Sequence, residues 1–380
     1  MRVLFIYILI IPLLLISCDN STISKNPENQ FLIKSKSVKF PLDEVSNYEF
    51  YIYQTVGDSL LILNQINYSL DIYSLSEQSL IGRINIDREG MNGIERLNTF
   101  YYFNQDSIFL FSQFLLKNSL IVNVEGNIID RVRHNEFNSD VDGLINHVGT
   151  PSMPNIIFDN ELHFSVFQLT NESIENDNFI HEHSLDLKSG NFKSYTYIKK
   201  PSFMHNQRWI DETFTRIKID KEEWFFSWNL SDTVYYIKGE NGVLIESKAI
   251  PMNGGISTNP KPVPKENYDG KWLEMSLEEY VYGKILLDKN KNIMHRLRYV
   301  PTVKPNLPKN YSNNPYLIKN FEILTYRLDG EFLGTTRINS GTYDPRLLFL
   351  GPEGIYIPRI HPNYKNLNED EIVYDVFSAE

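Results

Sequence analysis

Two histidines two residues apart, His181 and His183, form the spacing in this chain that most resembles a metal-binding pair. Residues i and i+2 of a strand share a face, so both imidazoles could reach one ion. That face also carries Phe179, Leu185 and Leu187, and no third ligand stands nearby in the sequence. Packed strand histidines explain the pattern, and neither a metal nor a cofactor is expected. Asp-Ser-Leu at Asp58, Asp-Ser-Ile at Asp106 and Asp-Thr-Val at Asp232 could accept an O-linked sugar. Each triplet also sits where a strand begins, and Asp with Ser or Thr favours turns. No Gly-x-Ser-x-Gly elbow, His-Glu-x-x-His pair or phosphate loop occurs, so no catalytic residue is assigned.

The remaining reactive group is the single thiol, Cys18. It follows Arg2 and an apolar run from Val3 to Ile16, too short for the roughly 20 residues that span a bilayer and suited to the core of a signal peptide. Leu15, Ile16, Ser17 and Cys18 resemble the lipobox of bacterial lipoproteins. That resemblance implies lipidation of Cys18 and cleavage before it. The alternative is an ordinary secretory signal with an incidental cysteine. With one cysteine, no intramolecular disulfide can form. The expected organisation is a signal peptide over 1–17, a flexible tether over 18–33 and one folded domain over 34–380. The expected address is the bacterial cell envelope, lipid-anchored, with the outer membrane first in order and its side left open. The chain carries 37 Lys plus Arg against 48 Asp plus Glu, a balance that repels phosphate backbones and argues against nucleic acid as a partner.

The elements that must position any site are short. Helical periodicity is nearly absent, while alternating β-branched and aromatic runs recur between turn residues. Hairpins begin at Phe50, Tyr68, Phe100, Asn118, Asn155, Glu182, Phe214, Thr233, Lys284 and Phe321. Paired in order they give five four-stranded units. A sixth, from Arg346, has a hairpin and one strand from Glu371, and so lacks a strand that Lys36–Asp43 can supply. The expected fold class is therefore all-β, a six-bladed β-propeller of four-stranded antiparallel blades closed by the N-terminal strand. Seven blades or two β-sandwiches are the alternatives. The lipobox, the length, the six imperfect blades and "REGMNGI" from Arg88 to Ile94 together resemble an uncharacterised Bacteroidetes-type lipoprotein family, a TolB-like six-bladed propeller of unknown function. That group often has Gly-Pro-Asn-Gly in this crossover, where Met91 stands in place of the proline. Gly90 and Gly93 are expected to turn the chain there with positive φ.

With strands A to D in each blade, the A–B and C–D turns share one face, and the B–C and D–A links the other. The long links 135–154, 168–178, 199–213, 251–276 and 302–315 all fall on the second face. Long links on a rigid scaffold are where binding residues concentrate. Candidate contacts there are Arg88 and Asn92 in the crossover, His205, Arg208 and Trp209, then Tyr268 and Trp272, and Tyr311 and Tyr316. Trp, Tyr and Arg are common interface anchors, although such aromatics can equally fold back and pin their own links. The leading reading is a membrane-anchored binding scaffold for an envelope protein, a peptide or a glycan. The alternative is a propeller-type lyase, lactonase or cyclotransferase at the channel mouth, with Glu49, Asp211 and Asp344 as candidates by position.

Overall fold

A computed structural model of the chain describes residues 30–46, 52–113, 116, 118–135, 145–168, 177–263, 272–302 and 314–379. Cys18, Glu49, Tyr268 and Tyr311 lie outside these residues.

The first strand, β1 (Ile33–Pro41), belongs to the last blade. Blade 1 follows as β2 (Tyr53–Val56), β3 (Ser59–Asn64), β4 (Ser69–Ser74) and β5 (Ser79–Asn85). Blade 2 is β6 (Leu97–Asn104), β7 (Ser107–Ser112), β8 (Leu120–Val122) and β9 (Ile128–Arg131). Blade 3 holds β10 (Ile145–Val148), β11 (Ile156–Phe158), β12 (Glu161–Gln168), β13 (Glu182–Asp186) and β14 (Phe192–Ser194). Blade 4 is β15 (Phe214–Asp220), β16 (Glu223–Trp228), β17 (Thr233–Glu240) and β18 (Val243–Pro251). Blade 5 is β19 (Val281–Asp288), β20 (Ile293–Tyr299), β21 (Phe321–Arg327) and β22 (Phe332–Ile338). Blade 6 is β23 (Phe349–Gly351), β24 (Gly354–Pro358) and β25 (Glu371–Ser378), completed by β1 in the order β23-β24-β25-β1.

The ring is shut by its own two ends. β1 pairs antiparallel with β25, with Val38 opposite Tyr374 and Phe40 opposite Ile372. Phe40 is buried and packs edge-on against Tyr73 of blade 1 and Tyr374 of blade 6, at 5.6 and 5.7 Å between ring centres. Apolar contact across the seam thus joins the first blade to the last. The docked segment starts earlier than the tether boundary read from sequence. Gln30 bridges Thr335 in parallel, Phe31 N–H donates to the Thr335 carbonyl, and Leu32 N–H donates to Thr336 Oγ1. Phe31 fits because Gly334 has no side chain: a Cβ there would lie 2.7 Å from Phe31 Cβ.

Burial follows position in the blade. The second strands β3, β7 and β16 are buried along nearly their whole length, because neighbouring blades cover both faces. Such strands read as continuous apolar runs rather than alternating ones. Outer strands such as β18 are mostly exposed. Buried cations cross between blades. Arg216 of blade 4 donates to the Pro154 carbonyl and pairs with Glu182 of blade 3 at 2.7 Å. Arg296 of blade 5 donates to Ser227 Oγ and to the Ser231 carbonyl of blade 4.

Two details depart from the sequence reading. The link expected over 135–154 contains β10, which pairs with the far half of β12 while β11 pairs with the near half. A bulge around the Thr150–Met153 bridge splits the inner strand of blade 3 in two. In the crossover, Gly90 has φ +84°, as expected, but Gly93 is absent from the positive-φ residues. Gly93 is needed because a Cβ would lie 2.5 Å from the Glu89 backbone nitrogen.

Candidate functional site

The first strands of the blades surround an axial channel, and a lysine divides it. Lys284 on β19 is 5 % exposed. Its ammonium donates to the Leu348 carbonyl at 2.9 Å, the Arg346 carbonyl at 3.1 Å and the Tyr53 hydroxyl. The side chain therefore links blades 5, 6 and 1 at the axis, and it lines a cavity on each side. Burial removes water from the ammonium and brings its pKa down to about 7, with the Asp344 carboxylate opposing. A buried cation held by neutral oxygens loses much of its hydration.

The cavity toward the A–B turns has a volume of about 680 Å³, with Ile217, Leu286, Phe349 and Leu350 among its walls and Lys289 and Lys291 at its rim. The other lies at the mouth where the long links gather and measures about 410 Å³. Blades 3 to 6 all contribute to this cup: Ser152, Asp211 to Thr213, Asn229, Lys284, Tyr299, Tyr316 and Arg346. Volumes of this order are usual for small-molecule sites.

Asp211 organises the cup. One carboxylate oxygen accepts the Thr213 N–H at 2.8 Å and its hydroxyl at 2.5 Å. The other accepts Asn229 Nδ2 at 3.0 Å and the Tyr316 hydroxyl. These bonds fix the amide of Asn229, whose Oδ1 is buried without a hydrogen-bond partner. Tyr316 stands on the short helix α2 (Pro315–Ile318), where Asn314 caps the Tyr316 N–H, and its ring packs on Tyr299 at 4.8 Å. Burial and the nearby Asp211 carboxylate push the Tyr316 phenol up, so it stays a donor. Opposite, Arg346 chelates Asp344 through Nε at 2.9 Å and Nη2 at 2.5 Å. The cup thus offers an aromatic wall, an unpaired acceptor just beneath its surface and two cations whose donors are largely committed.

Of the nine contact residues expected from sequence, the structure brings Tyr316 to this cup. Trp209 is buried, and its indole donates to the Met204 carbonyl within its own link. His205 Nε2 bonds the Lys200 carbonyl at 2.9 Å, and the Arg208 carbonyl accepts the Val263 N–H. His205 therefore pins its link, as does Trp209; the Arg208 bond is a main-chain one. Arg88 lies over the Tyr68 ring at 4.2 Å and donates to the Ile66 carbonyl, away from the axis. Asn92 lines an outer groove between blades 1 and 2. Trp272 opens helix α1 (Trp272–Glu278) in the link before blade 5. Of the three channel-mouth carboxylates, Asp211 lines the cup and Asp344 lies buried behind it, bonded to Arg346; Glu49 lies outside the described residues.

Sequence reasoning missed Lys284, Asn229, Tyr299 and Arg346. A charged residue in an otherwise apolar inner strand, as in "VYGKILL", is the signal that could have found Lys284. The histidine pair is structural. His181 Nδ1 bonds the Val166 carbonyl, His183 bonds Ser194 Oγ and the Ile180 carbonyl, and burial brings both down to about 4. Among the described residues, no group of three His, Cys, Asp or Glu is placed to hold a metal. Asp58 accepts hydrogen bonds from Ser74 Oγ and from the backbone and hydroxyl of Ser76, which is a turn role.

A family model described as "Domain of unknown function (DUF4221)" matches residues 20–319. Among solved structures, a member of that family from Bacteroides vulgatus is 19 % identical with a TM-score of 0.76, covering 92 % of this chain and 98 % of its own. A candidate exported protein from Bacteroides fragilis is 10 % identical with a TM-score of 0.51, covering 93 % of this chain and 98 % of its own. None of the curated proteins matches the chain.

Proposed function

The chain belongs to the DUF4221 family, and we propose that it is a lipid-anchored binding module of the bacterial envelope whose ligand site is the cup at the long-link mouth. The ligand class that suits the cup is a short glycan. Asn229 carries this reading: it lines the cavity, its amide is held by Asp211, and its Oδ1, beneath the surface, has no hydrogen-bond partner. A buried polar atom left unpaired is unfavourable, and a ligand hydroxyl that opens the cover over this oxygen would satisfy it. The faces of Tyr299 and Tyr316 give the apolar surface on which sugar C–H groups pack. Asp211 and Asp344 already bond internal partners, which favours holding a ligand over transferring a proton. The lipobox-like sequence at Cys18 supports the anchor.

The test is a glycan array with the full chain, followed by titration calorimetry of retained sugars. Asn229→Ala should weaken binding about tenfold, the usual scale for one neutral hydrogen bond. Unchanged affinity, or no glycan retained, counts against the site.

A further inference from the structure

The N-terminal chain enters the ring from the side opposite the cup. β1 runs from Ile33, paired with Ser378 at the end of β25, to Pro41, which leads into the link before β2. Its start therefore lies on the face of the A–B and C–D turns. Gln30 to Leu32 climb the outer edge of blade 5 in the same direction as β22. Cys18 is twelve residues upstream, a distance of about 40 Å at full extension and nearer 20 Å for a flexible chain.

The same face carries exposed apolar residues. The tip of the β17–β18 hairpin presents Val243, Leu244 and Ile245 in succession, at 63, 44 and 58 % exposure. Successive strand residues point to opposite sides, so neither face of this tip is covered. Phe332 at the start of β22 and Ile33 at the start of β1 are exposed as well. Blades 4 and 5 touch farther along β18, where Lys248 Nζ donates to the Asp329 carbonyl at 3.3 Å. An exposed apolar cluster of this kind marks a contact surface.

We propose that the turn face of blades 4 to 6 docks on the lipid surface through the Val243–Ile245 tip, holding the cup away from the membrane. The occupant follows from the chain's own geometry: the acylated end leaves the ring on this same face on a short leash. The turn-face charges are mixed, so the contact suits zwitterionic lipid. Retention comes from the acyl chains, which already suffice for stable anchoring; the tip sets orientation. This inference rests on the lipid anchor proposed above.

The experiment uses the full acylated chain in phosphatidylcholine vesicles, with one thiol introduced as Leu244→Cys or, on the opposite face, as Met91→Cys. Each carries an environment-sensitive dye, read with lipid-borne nitroxide quenchers. Docking predicts blue-shifted emission at position 244 and quenching several-fold stronger than at 91. Adding Val243→Glu and Ile245→Glu should abolish the difference while vesicle flotation persists. Equal, water-like signals at both positions in floating protein overturn docking and leave the anchor standing. Failure to float overturns the anchor and docking with it. Cross-linking of position 244 to position 244 of a second chain would make the occupant another copy, which also overturns it.

Discussion

Lys284 makes stability depend on pH in a direction that can be worked out beforehand. An ordinary lysine titrates near 10.5, and burial brings this one to about 7. Between those values the unfolded chain binds more protons than the folded one, so stability rises with pH. Below about 7 the desolvation penalty is fully present, and it is relieved as pH climbs. Going from pH 7 to pH 9, one group with this depression gains about 2 kcal/mol. Lys218 and Lys319, also brought to about 7 by burial, act in the same direction in the wild-type protein. Tyrosines held above their usual pKa by burial, such as Tyr53 and Tyr374, reverse the slope above pH 10, so the window stops at 9. The perturbation is Lys284→Met, which keeps the length of the side chain and removes its charge. It removes the ammonium donor from the Arg346 carbonyl and from the Leu348 carbonyl, which keeps the Tyr53 hydroxyl, a loss that does not depend on pH. Equilibrium urea unfolding of both proteins at pH 7 and pH 9 isolates the effect. The wild-type gain should exceed the variant's by about 2 kcal/mol. Equal gains in both proteins would refute a buried, depressed ammonium at the axis.

Two further outcomes follow from the seam and the cup. Phe40→Ala removes a ring packed between blades 1 and 6 and should destabilise the protein by about 3–5 kcal/mol, seen as a lower urea midpoint; an unchanged midpoint would mean that β1 does not hold the ring shut. Tyr316→Phe removes the hydroxyl that fixes Asp211 while keeping the aromatic wall, so glycan affinity should fall by only a few-fold, less than for Asn229→Ala, as calorimetry would show.

The fold was legible because its information is local. Each hairpin joins two runs through a short turn, and counting strands leaves one orphan at either end of the chain, which only closure can pair. The first half of the inner strand of blade 3 escaped because "INHV" is short and is separated from β11 by Gly149, Pro151 and Pro154, residues that read as a link. The site was less legible. Trp209 and His205 have the residue types of an interface, but whether such side chains face outward or pin their own link depends on packing that sequence does not encode locally. Lys284 opens a hairpin in sequence and resembles a surface lysine until the A strands are gathered around an axis. Asn229 sits in "SWNLSDT", where a turn explains it well enough. Its orphaned oxygen appears only when Asp211, eighteen residues earlier, clamps the amide.

Where a ligand sits decides whether the cup is the binding site. Hydrogen–deuterium exchange of the full chain, with and without a saturating glycan taken from the array, reads this directly. Slower exchange at 210–213, 229–230 and 314–318, with the β17–β18 tip and the other A–B and C–D turns unchanged, is the predicted result. Protection confined to those turns, or none near Asn229, would contradict it.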